Sequence, residues 1–371
     1  MRESIRLGRI LGIPVGVNWT LLAILGLLTY DLALGLPGGP TVAAVAVAGL
    51  AAVVFFGSVL LHELAHSVVA RRYGLRVDGI TLWLLGGVSR LEGEAPSAGA
   101  AARIAVAGPA VSLALAVGFG VFAIAAAGLG LPAVIGAGVG WLAVINGVVA
   151  VFNLVPAAPL DGGRILGAAL WAHYRDRDRG QLGAARAGRV FGWVLIGLGI
   201  WGFLSGAGIF GLWPAVLGWF VLSLADAEAR YYRLRQSTRG RTVGEAMTPV
   251  TSGEPGWLTV DGFLDHVGGA HARGFVVDQW GGGPAAFVTG DTLRSVPAAA
   301  RGSTRVLDVA RPLHGVPVVH RGDDLLDAWA RTSGPRPMLV VQDGGDIVGV
   351  VTPEDLQRAG APTELRHGAA R

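Results

Sequence analysis

The stretch Val53-Val54-Phe55-Phe56-Gly57-Ser58-Val59-Leu60-Leu61-His62-Glu63-Leu64-Ala65-His66-Ser67-Val68-Val69-Ala70-Arg71-Arg72 reads as the end of a membrane-crossing helix that carries chemistry. It continues an apolar run that starts at Val42, and the two arginines stop it. On a helix, residues four apart share a face, so the imidazoles of His62 and His66 can reach one zinc ion. Glu63, one step on, flanks the metal and is placed to act on water there. Ionisable side chains inside a membrane are costly and usually functional, and three within five positions are not an ordinary solvated face.

Outward from this stretch, composition supports a membrane protein. The chain has 371 residues, of which 52% are hydrophobic, and a mean hydropathy of +0.54, values unlike those of a soluble protein. Apart from Glu63, the acidic residues between Ile10 and Leu170 are Asp31, Asp78, Glu92, Glu94 and Asp161, whereas residues from Ser237 onward carry mixed charges. A membrane half followed by a soluble half is expected. Cysteine is absent, which excludes disulfides and thiolate metal sites, so a transition metal must be held by His, Asp or Glu. The basic residues are all arginine and the pI is near 10.1. Because the arginines cluster beside apolar segments, membrane topology explains that basicity and no nucleic-acid partner is expected.

The apolar runs predict about six transmembrane helices. They cover residues 10–36, 42–70, 104–130 and 133–155, then a hairpin of 190–204 and 208–225 that turns at Ser205-Gly206. Residues 80–91 are too few to span as a helix and are rich in strand formers and glycine, so they predict extended backbone embedded beside the helices. Arg71-Arg72, the loop 171–189 and the stretch 230–241 all fall on one side if the N-terminus is cytosolic. The expected location is therefore the cell membrane, multi-pass, with both the N-terminus and the soluble half in the cytosol.

A catalytic zinc generally takes three protein ligands and leaves a position open. The remaining histidines, His173, His266, His271, His314, His320 and His367, lie in the arginine loop or the soluble half. Asp31 is expected at the far end of its span, and Asp78, Glu92 and Glu94 in polar loops. Asp161 remains, and by topology it emerges on the same side as the two histidines. It closes Asn153-Leu154-Val155-Pro156-Ala157-Ala158-Pro159-Leu160-Asp161-Gly162-Gly163, where the prolines bar a continuous helix and predict irregular backbone that turns inward.

At these residues the sequence resembles the site-2 protease family of intramembrane zinc metalloproteases, in the form that carries appended CBS domains. His62 through His66 match its zinc helix, and Asn153 through Gly163 match its N-x-x-P-x-x-P-L-D-G-G element. Residues 80–91, with Gly86-Gly87, resemble its embedded strand region, and Gly108-Pro109 is expected to open the third span. The resemblance implies that His62, His66 and Asp161 hold Zn2+, that Glu63 is the general base, and that Asn153 assists near the reacting carbonyl. A hydrogen bond from Asn153 to neighbouring backbone is the plainer alternative. The implied substrates are membrane proteins, such as anti-sigma factors or other membrane-anchored regulators. Strand addition of an unwound substrate to residues 80–91 is a further expectation.

The soluble half divides as a linker 230–242, a first CBS domain 243–301 with an irregular turn, and a second CBS domain with the C-terminal tail, 302–371, after a membrane domain 1–229. Val243 through Pro249 resembles the opening of a CBS domain and residues 337–357 the closing half of another. In the second copy, 338–341 and 347–351 predict strands joined by Asp343-Gly344-Gly345-Asp346, with a helix opening at Thr352-Pro353-Glu354-Asp355. The resemblance implies an adenine nucleotide, ATP or AMP, held by Thr352 and Asp355 and by Thr289 and Asp291, though Thr and Asp are also ordinary helix caps. It also raises a homodimer through these domains. The rival class is a CBS-gated metal-binding transporter or channel, which gains nothing from a glutamate beside the first histidine.

Overall fold

The computed structural model describes residues 5–83, 86–268, 274–332 and 337–360. Arg2, Leu84, Leu85 and the expected tail after Gly360 lie outside the described residues. The chain divides between Tyr232 and Arg233 into an N-terminal and a C-terminal unit, each packed mainly on itself.

The N-terminal unit opens with a hairpin, β1 (Ile5–Ile10) and β2 (Ile13–Val17). Positive φ at both Leu11 and Gly12 makes the tight turn whose twist suits two antiparallel strands. Residues 10–17 were expected to begin the first span. Glycines at 8, 12 and 16 and Pro14 break a helix there, and the first helix, α1, covers only Thr20–Gly35. The strands β3 (Arg76–Trp83) and β4 (Gly86–Glu92) occupy the segment expected to be extended. The sheet runs β1-β2-β3-β4, with β2 parallel to β3 through Val15 and Ile80, so β4 is an edge strand.

The zinc helix expected from the sequence is α2 (Val42–Arg72). Thr41 caps its start by accepting from Ala44 N at 3.2 Å, and Arg71 and Arg72 lie in its last turn, where the helix dipole favours cations. Ile13, Val17, Leu21, Phe56, Leu64, Ile80 and Leu82 form one core between the sheet and the first helices. The helix α3 (Ala98–Gly128) starts earlier than the expected third span because Ser97 caps it. Gly108-Pro109 therefore lies inside α3 and does not open it. The fourth span is α4 (Ala133–Asn153).

A short loop leads to α5 (Asp161–Tyr174), then α6 (Arg177–Gly202) and α7 (Trp213–Thr238). The arginine loop expected at 171–189 is thus largely helical. Asp176 caps α6 by accepting from Arg179 N at 3.1 Å, and arginine is itself a good helix former. The α6–α7 turn bends at Gly206 and Gly208, both with positive φ, where the sequence predicts it. Among the described residues, four helical stretches are long and apolar enough to cross a membrane: Val42–Arg72, Ala98–Gly128, Ala133–Asn153 and Arg177–Thr238, the last containing the α6–α7 hairpin.

The C-terminal unit is built on a seven-stranded sheet. Its strands are β5 (Thr248–Pro255), β6 (Gly274–Asp278), β7 (Pro284–Thr289), β8 (Arg311–Pro312), β9 (Val318–His320), β10 (Leu339–Asp343) and β11 (Asp346–Val351). Their order is β8-β7-β6-β5-β11-β10-β9. The hairpins β6–β7 and β10–β11 each lead into a helix, Gly290–Ser295 and Pro353–Gly360. Phe263, Leu293 and Val277 fill one core and Leu325, Leu339 and Val351 another. Each of these side chains contributes roughly 1.5–3 kcal/mol on leaving water. The two cores interleave along the sequence: Val243 packs with Leu325, Leu339 and Val351, and Val306 with Phe263, Val277 and Leu293.

Candidate metal centre

Three helices build the centre. His62 and His66 sit one turn apart on α2 with ring centroids 4.8 Å apart, and Asp161 is the first residue of α5. All three are buried. His66 Nδ1 lies 2.7 Å from the carbonyl oxygen of Ile104 on α3. A carbonyl only accepts, so the neutral ring carries its proton on Nδ1 and presents the Nε2 lone pair inward. His62 Nδ1 lies 2.9 Å from the hydroxyl of Ser112, also on α3, and its Nε2 points the same way.

The inward atoms form a small triangle. The two Nε2 atoms are 3.2 Å apart, and Asp161 Oδ2 lies 3.2 Å from His62 Nε2 and 3.1 Å from His66 Nε2. Four-coordinate zinc with bonds of about 2.0–2.1 Å has ligand-to-ligand edges of about 3.3 Å. The donor set therefore fits zinc in type, number and spacing: two neutral imidazoles and one carboxylate.

Close packing keeps that geometry. A Cβ on Gly108 would overlap both Nε2 atoms, so α3 can pass this near the imidazoles only with glycine there. Sequence reasoning places Gly108 at the opening of a span and misses this contact; a glycine inside a long apolar helix is the available signal. The irregular backbone expected at Asp161 ends one residue earlier. Both prolines fall in the loop 154–160, and α5 begins at Asp161, at the positive end of its dipole. Gly162 and Gly163 allow α5 to abut the carbonyls of Leu154 and Val155 and the backbone of Ala158. The loop is seated on α6 as well, since Ala158 N donates to Ala184 O at 3.2 Å.

Glu63 points from α2 toward β4. Its Oε2 accepts from Ser89 Oγ at 2.5 Å, and a Cβ on Gly87 would overlap its Cγ. Asn153 closes α4, where its amide donates to Val149 O at 3.1 Å, the backbone bond named as the plainer alternative. Among the other acidic residues weighed as ligands, Glu94 is ion-paired with Arg177.

In the C-terminal unit, Thr289, Asp291, Thr352 and Asp355 all line one cleft of about 790 Å³, together with Arg294, Arg311 and Arg358. Asp355 is 1% exposed and its oxygens are already engaged. Oδ1 accepts from Thr248 Oγ1 at 2.6 Å and from Arg358 Nη1 at 2.8 Å, and Oδ2 from Thr352 N and Oγ1, each at 2.9 Å. With Thr352 it forms a reciprocal helix cap. Thr289 caps its helix by accepting from Thr292 N at 3.1 Å, and Asp291 pairs with Arg294 at 2.7 Å. The Glu354 carboxyl at the cleft edge is held below its usual range, chiefly by its own backbone N–H.

The model of peptidase family M50 matches residues 50–139 and 120–195. Rip3 of Mycobacterium tuberculosis is 43% identical over 365 residues, covering 96% of this chain and 93% of that protein. The solved site-2 protease of Methanocaldococcus jannaschii is 28% identical, covers 61% of this chain and 95% of its own, and superposes with a TM-score of 0.43. The CBS domain of a bacterial CNNM/CorC family Mg2+ transporter is 18% identical, covers 39% of this chain and 95% of its own, with a TM-score of 0.26.

Proposed function

We propose, from the premise that this chain belongs to peptidase family M50, the site-2 protease family of intramembrane zinc metalloproteases, that His62, His66 and Asp161 hold its zinc ion and Glu63 is its general base. Membership makes the protein a multi-pass membrane protease with membrane-protein substrates, and it sets aside the transporter reading. The observation that carries the residue assignment is the 3.1–3.2 Å triangle of Nε2, Nε2 and Oδ2 atoms.

His62, His66 and Asp161 would hold a zinc ion there, which would supply Lewis acidity for water activation. Glu63 takes a proton from the attacking water and returns it to the leaving amine. Asp161 offsets positive charge in the buried site, and the Ile104 carbonyl holds the proton of the neutral His66 ring on Nδ1, so that the Nε2 lone pair faces inward. Asn153 is proposed as a donor to the developing oxyanion once its amide leaves the Val149 carbonyl. The substrate must present an extended bond, because a helical carbonyl is already hydrogen-bonded. The outer edge of β4 has no strand partner among the described residues and suits strand addition beside Glu63.

The test uses purified enzyme in liposomes with a single-span membrane substrate and mass spectrometry of the products. The expected result is one cut within or beside the span, lost on chelation and restored by zinc. Cleavage that persists without metal would contradict the assignment.

For topology, α1, α2, α3, α4, α6 and α7 are placed across the bilayer with the N-terminus and C-terminal unit cytosolic, as the arginine clusters favour. The C-terminal unit is read as a CBS pair that binds an adenine nucleotide in the arginine-bearing cleft and modulates cleavage, with homodimerisation through the same unit. Membrane-anchored transcriptional regulators such as anti-sigma factors are the proposed substrates. Because Asp355 is committed to internal hydrogen bonds, Arg311 is the better probe of the cleft. ATP is expected to change the cleavage rate about 5-fold or more, the scale of ordinary coupling between sites. Arg311→Ala should remove that response. An unchanged rate would reject gating, and an unchanged response in the variant would reject the cleft.

A further inference from the structure

Ser89 stands on the edge strand β4, and its hydroxyl donates to Glu63 Oε2 at 2.5 Å, the length of a charge-assisted bond. The hydroxyl of Ser67, one turn beyond Glu63 on α2 and fully buried, lies 3.4 Å from Ser89 Oγ. Ser89 has one proton to give, which goes to the carboxylate, so it accepts from Ser67. Two residues along the same face of β4, Gly87 leaves the space that the Glu63 side chain fills. Glu63 thus lies in a slot between α2 and β4, its Oε2 fixed and its Oε1 without a hydrogen-bond partner among the described residues.

We propose that Ser89 is a positioning residue for the general base, one that also ties the base to the strand on which substrate docks. A carboxylate that turns freely divides its time among orientations that cannot reach the attacking water. Holding Oε2 fixes the plane of the group and leaves the lone pairs of Oε1 for the proton transfer. Substrate added to the outer edge of β4 would steady the same strand that carries Ser89, so docking and alignment of the base are one event. This rests on Glu63 being the base.

The test compares wild type, Ser89→Ala, Ser89→Thr and Glu63→Gln, each full-length and zinc-loaded, by kcat, KM and zinc content. Ser89→Ala should lower kcat about 10- to 100-fold, the weight of a hydrogen bond to a charged group, with KM and zinc content unchanged. Ser89→Thr keeps the hydroxyl and should recover most of that loss. A kcat for Ser89→Ala within twofold of wild type while Glu63→Gln is inactive would overturn the positioning role and leave the base assignment standing. Loss of zinc in Ser89→Ala, or no recovery in Ser89→Thr, would make Ser89 structural and also overturn it. An active Glu63→Gln would remove the base assignment and the inference together.

Discussion

Glu63→Gln is expected to lower peptide-bond hydrolysis by at least about 10³-fold while leaving zinc bound, within the 10²–10⁴ range that a positioned acid–base group contributes. The substitution keeps the size of the side chain and one acceptor oxygen for Ser89 but removes its ability to take a proton. Glu63 contributes no atom to the triangle of His62, His66 and Asp161; its carboxylate lies against Ser89, on the β4 side of α2. The metal set should therefore be indifferent to the change. Zinc content measured beside the rate of product formation checks both halves. Retained cleavage by the pure variant would remove Glu63 from the mechanism, and loss of zinc would make it a ligand.

Asp161→Ala is expected to weaken zinc binding and lower activity together. Asp161 Oδ2 touches both Nε2 atoms, and it is the sole anion of the triangle. Structural zinc sites release about 10–16 kcal/mol on binding, so one ligand of four accounts for roughly 3 kcal/mol, a loss of about 10²-fold in affinity. Two buried imidazoles alone hold the ion weakly and leave its charge unbalanced. Competition with a chromogenic chelator measures the loss. Wild-type affinity in the variant would mean that another group supplies the third bond.

The legible part of the site was the part written in local spacing. Two histidines four apart fix their own relation on any helix, and the elimination that leaves Asp161 needs only a count of acidic residues and their side of the membrane. The contacts that hold these ligands were not legible. Ser112, Ile104 and Gly108 reach the imidazoles from a different helix, and Ser89 reaches Glu63 from a strand. Nothing in the sequence pairs those positions.

In the fold, residues 10–17 resemble part of a span because their apolar content outweighs the glycines and proline that place them in a sheet. The arginine-rich segment reads as a loop on composition, although Asp176 is available as a cap for α6. The Thr352–Asp355 pattern can be read from sequence either as a nucleotide contact or as a helix cap, and the structure shows it capping. By contrast, the turn at 205–206 and the two hairpins of the C-terminal unit follow directly from their glycines and flanking strand formers.

The central claim, that two imidazoles and one carboxylate hold the zinc, is tested most directly by X-ray absorption at the zinc edge on the purified, zinc-loaded full-length protein and on Asp161→Ala. Four nitrogen or oxygen neighbours at about 2.0–2.1 Å are expected in the wild type, with multiple scattering from two imidazoles and no more. Asp161→Ala is expected to change the oxygen contribution and keep both imidazoles. A third imidazole in the wild type, or an Asp161→Ala spectrum identical to it, would contradict the account.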